Sequence, residues 1–182
     1  MLTNTLRLTL IVGLAGAVLT LTGRLDAFEE RSEDLAASVE VAAVFGVDVS
    51  TTSLTFSDVE PGRTTVIGEG HSFHEVTCRS NAGRPWYVKA HVVSLTHLDR
   101  PSELPAAALK WKIVDVSGEG EPVGSSDFEA FTETPTLIYA SRGDDDLGQP
   151  VVLRLQYSLT GPPDAPAGTY VGQIVVTMSE QP

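Results

Sequence analysis

Four histidines, one cysteine and a run of three aspartates are the residues here with chemistry beyond packing. His71 and His74 are three apart, and His91 and His97 lie further on. Zinc needs three or four protein donors at one locus, whereas in a strand a spacing of three puts two side chains on opposite faces. These histidines are therefore read as surface or half-buried, and no metal ligand is assigned. Asp144, Asp145 and Asp146 follow Arg142-Gly143 in a loop closed by Gly148 and Pro150. Clustered carboxylates suit a hard cation, which makes the three candidate Ca²⁺ ligands, but the EF-hand spacing is missing. A solvated acidic loop is the plainer expectation.

Cys78 stands alone, so neither an internal disulfide nor a cysteine-based zinc site can form. Its alternation with Val76 reads as a small buried apolar residue, not a thiolate nucleophile. No Gly-x-Ser-x-Gly elbow, His-Glu-x-x-His pair or Gly-rich phosphate loop occurs, so the chain is read as a non-enzyme with no cofactor. Trp86, Tyr87 and Trp111 could stack on carbohydrate. The two tryptophans, however, alternate in phase with Val88 and Ile113, which assigns them to a core and leaves Tyr87 as the exposed ring.

Twelve basic residues against twenty-four acidic ones give a net charge of −12, which excludes a basic nucleic-acid-binding surface. The amino end has the order of a secretory signal: Arg7, an apolar run from Leu8 to Leu21, then a polar exit ending at Ala27. A spanning helix needs about 20 apolar residues, more than this run supplies. Cleavage after Ala27 is therefore expected over an uncleaved anchor, with no stable transmembrane span. Either outcome puts the rest outside the cytoplasm, secreted or at the cell surface by bacterial-type export. Residues 28–37 form a polar tail expected to be mobile, and residues 38–182 a single domain.

The elements that must position these residues read as strands. Val39, Val41, Ala43, Phe45, Val47 and Val49 occupy every second position of an expected first strand, Ser38 to Ser50. A second strand runs from His74 to Ser80, and a third from Pro85 to Val93. Asn81-Ala82-Gly83 between them predicts a hairpin. Further strands are expected around Leu109–Val114, Thr136–Ala140, Val151–Leu159 and Tyr170–Met178, with a Gly-rich loop over Ser117–Ser126 and a turn of helix near Leu104–Leu109. About seven short strands separated by Gly/Pro turns argue for an all-β, antiparallel, immunoglobulin-like sandwich, with a closed barrel second.

Three phrases carry a resemblance: Leu54-Thr55-Phe56-Ser57-Asp58-Val59-Glu60-Pro61-Gly62, Val76-Thr77-Cys78-Arg79-Ser80-Asn81, and Ala167-Gly168-Thr169-Tyr170-Val171-Gly172. Together they resemble bacterial surface β-sandwich proteins of the spore-coat-U, fimbrial-subunit and WxL-domain kind. The resemblance implies a structural or adhesive role at the cell surface, without catalysis. Pilins of that kind pair two cysteines, and only Cys78 is present here.

The first strand also suggests an assembly. A mobile amino-terminal strand with an apolar period of two suits β-strand addition, in which backbone groups extend a neighbour's sheet and alternate side chains fill its groove. Such head-to-tail contacts do not close, so they build filaments. Val39, Val41, Ala43, Phe45, Val47 and Val49 are the candidate inserting residues for self-association, with other cell-surface components as further partners. The same residues could instead form the first strand of their own sandwich, bent at Gly46. A different class of function is a monomeric binding or adhesion module that uses the Gly118–Gly124 and Gly143–Asp146 loops.

Overall fold

Alternation of apolar and polar residues becomes two antiparallel sheets in the computed structural model, which describes residues 38–68, 73–124 and 126–182. The signal segment 1–27, the tail 28–37 and His71 lie outside the described residues. Eleven strands are assigned: β1 (Phe45–Val49), β2 (Thr64–Ile67), β3 (His74–Ser80), β4 (Tyr87–His97), β5 (Glu103–Leu104), β6 (Leu109–Val116), β7 (Glu121–Pro122), β8 (Glu129–Ala130), β9 (Thr136–Ala140), β10 (Val151–Thr160) and β11 (Tyr170–Ser179). One sheet runs β1-β3-β10-β6-β8 with β2 beside β10; the other runs β11-β4-β9-β7 with β5 beside β4.

The all-β sandwich is as expected, and its seven strands of five or more residues match the seven read from the sequence. Lettered A to G in chain order, these seven lie A-B-F-D and G-C-E. The immunoglobulin constant arrangement is A-B-E-D and C-F-G, so the fifth and sixth strands exchange sheets here. The expected β3–β4 hairpin is corrected. β3 pairs with β1 and β10, whereas β4 pairs with β11, β9 and β5. The Asn81-Ala82-Gly83 turn therefore carries the chain across the sandwich, because Val76 and Cys78 must face Val88, Ala90 and Val92 rather than lie beside them.

The core forms where the inward residues of both sheets meet. Val76, Cys78, Leu109, Trp111, Val151, Leu153, Leu155 and Tyr157 pack against Trp86, Val88, Ala90, Val92, Ile138, Tyr139 and Met178. Each fully buried Val or Leu contributes about 1.5–3 kcal/mol. Trp86 and Trp111 are buried as expected, and Phe131 joins them with its ring stacked on Tyr157 at 6.3 Å between centroids. The turn of helix near Pro105 is a 3₁₀ turn over Ala106–Ala108.

The first strand is shorter than its pattern. Its ladder to β3 begins at Phe45, opposite Ser80. Beyond Ser80 the partner strand ends, and Asn81 is the last residue opposite the segment, at Val44, so residues 38–43 have no strand opposite them among the described residues. Within the loop expected over Ser117–Ser126, Glu121 and Pro122 form two ladder pairs with Ala140 and Tyr139. Among the described residues no helix is long and apolar enough to cross a membrane.

Candidate functional site

At the amino-terminal edge, one side chain continues what the ladder cannot. The Val44 backbone N–H donates to Asn81 Oδ1 at 2.7 Å, Asn81 Nδ2 donates to the Ala42 carbonyl at 2.8 Å, and the Asn81 backbone N–H donates to the Val44 carbonyl at 3.2 Å. At the other end of β1, the Ser50 N–H donates to the Glu75 carbonyl at 2.9 Å. Val44 and Ser50 share parity, and backbone groups in a strand alternate sides. Even-numbered residues therefore face β3 and Asn81, while the N–H and C=O groups of Val41, Ala43, Phe45, Val47 and Val49 face away from the sheet.

The six candidate inserting residues divide accordingly. Val47 packs against the core. Phe45 and Val49 are exposed despite sitting in the β1 ladder. Ala43 is exposed, and Val39 and Val41 stand 85% and 78% exposed. The strand thus serves its own sheet through Phe45–Val49 and leaves the amino-terminal part of the same alternation uncovered.

The two loops named for a binding module form one unit. Asp145 is buried in a 3₁₀ turn over Gly143–Asp146, and its carboxylate accepts four hydrogen bonds. They come from the Tyr139 hydroxyl at 2.6 Å and the backbone N–H groups of Glu119 at 2.8 Å, Gly120 at 2.9 Å and Arg142 at 3.1 Å. Its carbonyl also accepts from Trp86 Nε1 at 3.3 Å. Burial, and then the bond to Asp145, hold the Tyr139 hydroxyl well above the ordinary tyrosine range. Asp144 is exposed and Asp146 half-buried, so the three aspartates do not present their carboxylates together. Among the described residues no three His, Cys, Asp or Glu side chains converge as a metal site.

Most of the remaining candidates are held by packing or hydrogen bonds, whereas His91 Nδ1 is buried with no hydrogen-bond partner among the described residues. Cys78 is buried, and desolvation first and the nearby Asp48 second push its thiol up to about 12. His74 Nε2 donates to the Thr51 carbonyl at 3.1 Å, which leaves Nδ1 to accept from the Tyr157 hydroxyl at 2.9 Å. This pair lines a pocket of about 260 Å³ with Leu54, Ile67 and Phe73. Two expectations are corrected: His97 is buried, since its ring bonds the Ala167 carbonyl and the Asp99 N–H, and Tyr87 is half-buried, not exposed; His91 is half-buried as expected. Sequence reading missed Asn81 as a clamp, for which the Asn-x-Gly turn was the available signal, and the Tyr139–Asp145 pair, for which there was none.

Comparison with known proteins returns no matching family model and no similar curated protein.

Proposed function

We propose that this chain is an exported structural subunit of a cell-surface fibre, pilus or extracellular matrix, joined to its neighbours by β-strand addition through its amino-terminal segment. The observation that carries the reading is the unspent alternation before β1. Val39 and Val41 are exposed at a strand period, and the outer backbone groups from Val41 to Val49 meet no partner strand among the described residues. An apolar, extended segment of this kind gains backbone hydrogen bonds and buried area only on another sheet. The signal-like amino end and the resemblance to surface sandwich proteins support the location.

The test is electron microscopy of the purified exported protein beside a Val39→Asp/Val41→Asp variant. Both side chains lie outside the β1–β3 ladder, so the variant keeps its sandwich. Filaments from the parent and folded monomers from the variant are expected. Filaments from both, or folded monomers from both, overturn the reading.

A second reading, a monomeric adhesion module, rests on the joining of the Gly118–Gly124 and Gly143–Asp146 loops around Asp145. It requires a ligand to protect that end of the sandwich. A Ca²⁺-dependent rise in melting temperature, lost in Asp144→Asn, would favour it.

A further inference from the structure

Sheet edges are a hazard that proteins blunt with charge, proline, bulges or short strands. Among the described residues nearly every open edge is blunted, β2 by having only four residues and β5 by having only two. β1 has five residues and carries Asp48, β7 is two residues including Pro122, and β8 is two residues including Glu129. The far half of β6 carries Lys112 and Asp115. Among the described residues β11 alone is both long and uncharged. It ends its sheet, and its ten residues, Tyr-Val-Gly-Gln-Ile-Val-Val-Thr-Met-Ser, include no charged residue and no proline. That composition stands out in a chain with twelve basic and twenty-four acidic residues.

β4 covers one side of β11 from Tyr170 to Ser179, with a register shift between Val171 and Gln173. The opposite side pairs with no strand among the described residues, although β1 of the same chain lies near it across the sandwich edge without forming a ladder. Ile174, Val176 and Met178 point into the core, so Gln173, Val175 and Thr177 lie on the outer face. At about 3.3 Å per residue, β11 offers roughly 33 Å of edge.

We infer that β11 is the acceptor edge for a second copy of this chain, and that its occupant is the amino-terminal segment 38–44. This deepens the fibre reading and rests on it. The seven residues of that segment span about 23 Å when extended, which fits within the edge. Glu40 is their one charge, so an uncharged acceptor meets little repulsion. Asn81 already holds Ala42 and Val44 extended and uses only one of their sides. The backbone groups of Val41 and Ala43 are turned to the other, where a β11 strand would receive them. In that pairing Val39, Val41 and Ala43 continue the inner face of the acceptor sheet beyond Ile174 and Val176, and Ala42 joins Gln173 and Val175 on the outer face.

The test uses the exported protein with single cysteines on the outer face. Ala42→Cys is mixed with Gln173→Cys, Val175→Cys or Thr177→Cys under mild oxidation, with Cys78 buried and silent. A disulfide-linked dimer is expected in at least one mixture and in none of the β11 variants alone. A second variant, Gln173→Lys/Thr177→Lys, supplies the charge that edge strands ordinarily carry. It is expected to stay folded by circular dichroism and to lose filaments. Filaments that persist in this variant, with no mixed disulfide, place the acceptor elsewhere while the fibre reading stands. A β11 cysteine that cross-links to itself shows two β11 edges paired and also overturns the inference. A mixed disulfide without filaments keeps the docking edge and removes the fibre. Monomers with neither filaments nor mixed disulfide remove both.

Discussion

Asn81 and Val44 are tied by two hydrogen bonds, one from the Val44 N–H to the Asn81 side chain and one from the Asn81 N–H to the Val44 carbonyl. With the further bond from Asn81 Nδ2 to Ala42, the side chain imitates the next residue of a strand. It lengthens the β1 ladder past the point where β3 ends.

Asn81→Ala removes both side-chain bonds. They are solvent-exposed, so the loss is about 1 kcal/mol. The sharper readout is amide exchange: Val44 should exchange much faster in the variant, while Asp48 and Ser50, held by β3, stay unchanged. If residues 42–44 are the assembling segment, the variant also polymerises more slowly, because the segment must then be ordered on docking.

Asp145 makes a larger contribution because it is buried and four donors depend on it. Asp145→Ala strands the Glu119 and Arg142 N–H groups and the proton of the Tyr139 hydroxyl, and leaves the Gly120 N–H only the Tyr139 oxygen, 2.9 Å away. At about 1–3 kcal/mol for each group left buried and unpaired, less what water recovers, the expected destabilisation is about 3–5 kcal/mol. Tyr139→Phe should cost about 1–2 kcal/mol, and the double variant less than the sum of the two. Urea unfolding of the four proteins measures the coupling. Additive losses would show that the two loops are not held through this carboxylate.

The core was legible because period two survives in it. Val76 with Cys78, Trp86 with Val88, Ala90 and Val92, and Leu153 with Leu155 and Tyr157 all face inward as their spacing indicates. β4 runs four residues past its expected end, to His97, since Ser94 and Thr96 hide the strand among polar side chains. Strand order was not legible. An Asn-x-Gly turn looks alike whether it joins neighbours in one sheet or crosses between two, and only the demand that Cys78 and Val88 share one interior decides. Nor could sequence separate Asp145 from Asp144 and Asp146, because the 3₁₀ turn that sends one of the three inward is set by contacts with Tyr139 and Gly120.

His97 and Gly168 fix the entry into β11. His97 Nε2 donates to the Ala167 carbonyl at 3.2 Å, its Nδ1 accepts from the Asp99 N–H at 2.9 Å, and the Tyr170 ring meets it edge-on at 5.0 Å. A Cβ on Gly168 would overlap the imidazole, and Gly168 has φ +150°. Gly168→Ala therefore combines overpacking with backbone strain, for about 2–4 kcal/mol. Gly83→Ala is the control. It has φ +63° but no atom within 4 Å of its Cβ, so strain alone applies and the cost should be about 1 kcal/mol. Equal losses of melting temperature in the two variants would show that the His97 contact does not constrain the turn.

Cys78 predicts how the fold fails in alkali. Its thiol is pushed up from 9.0 to about 12, by burial first and Asp48 second, so the native state keeps a proton that the unfolded chain releases. Between pH 9 and 12 the unfolded state therefore binds fewer protons than the native state, and stability falls as pH rises. The slope approaches about 1.4 kcal/mol per pH unit for one group, and the contribution is whole below pH 9. Tyr157, raised by burial, and Tyr139, raised by burial and Asp145, add slopes of the same sign above the ordinary tyrosine range. The urea midpoint should thus be flat from pH 7 to about 8.5 and then fall. Cys78→Ala should lower stability by about 1–2 kcal/mol at pH 7 through the cavity it leaves. It should also delay the decline until the tyrosines titrate. An unchanged onset in that variant would show that the thiol ionises without unfolding the sandwich.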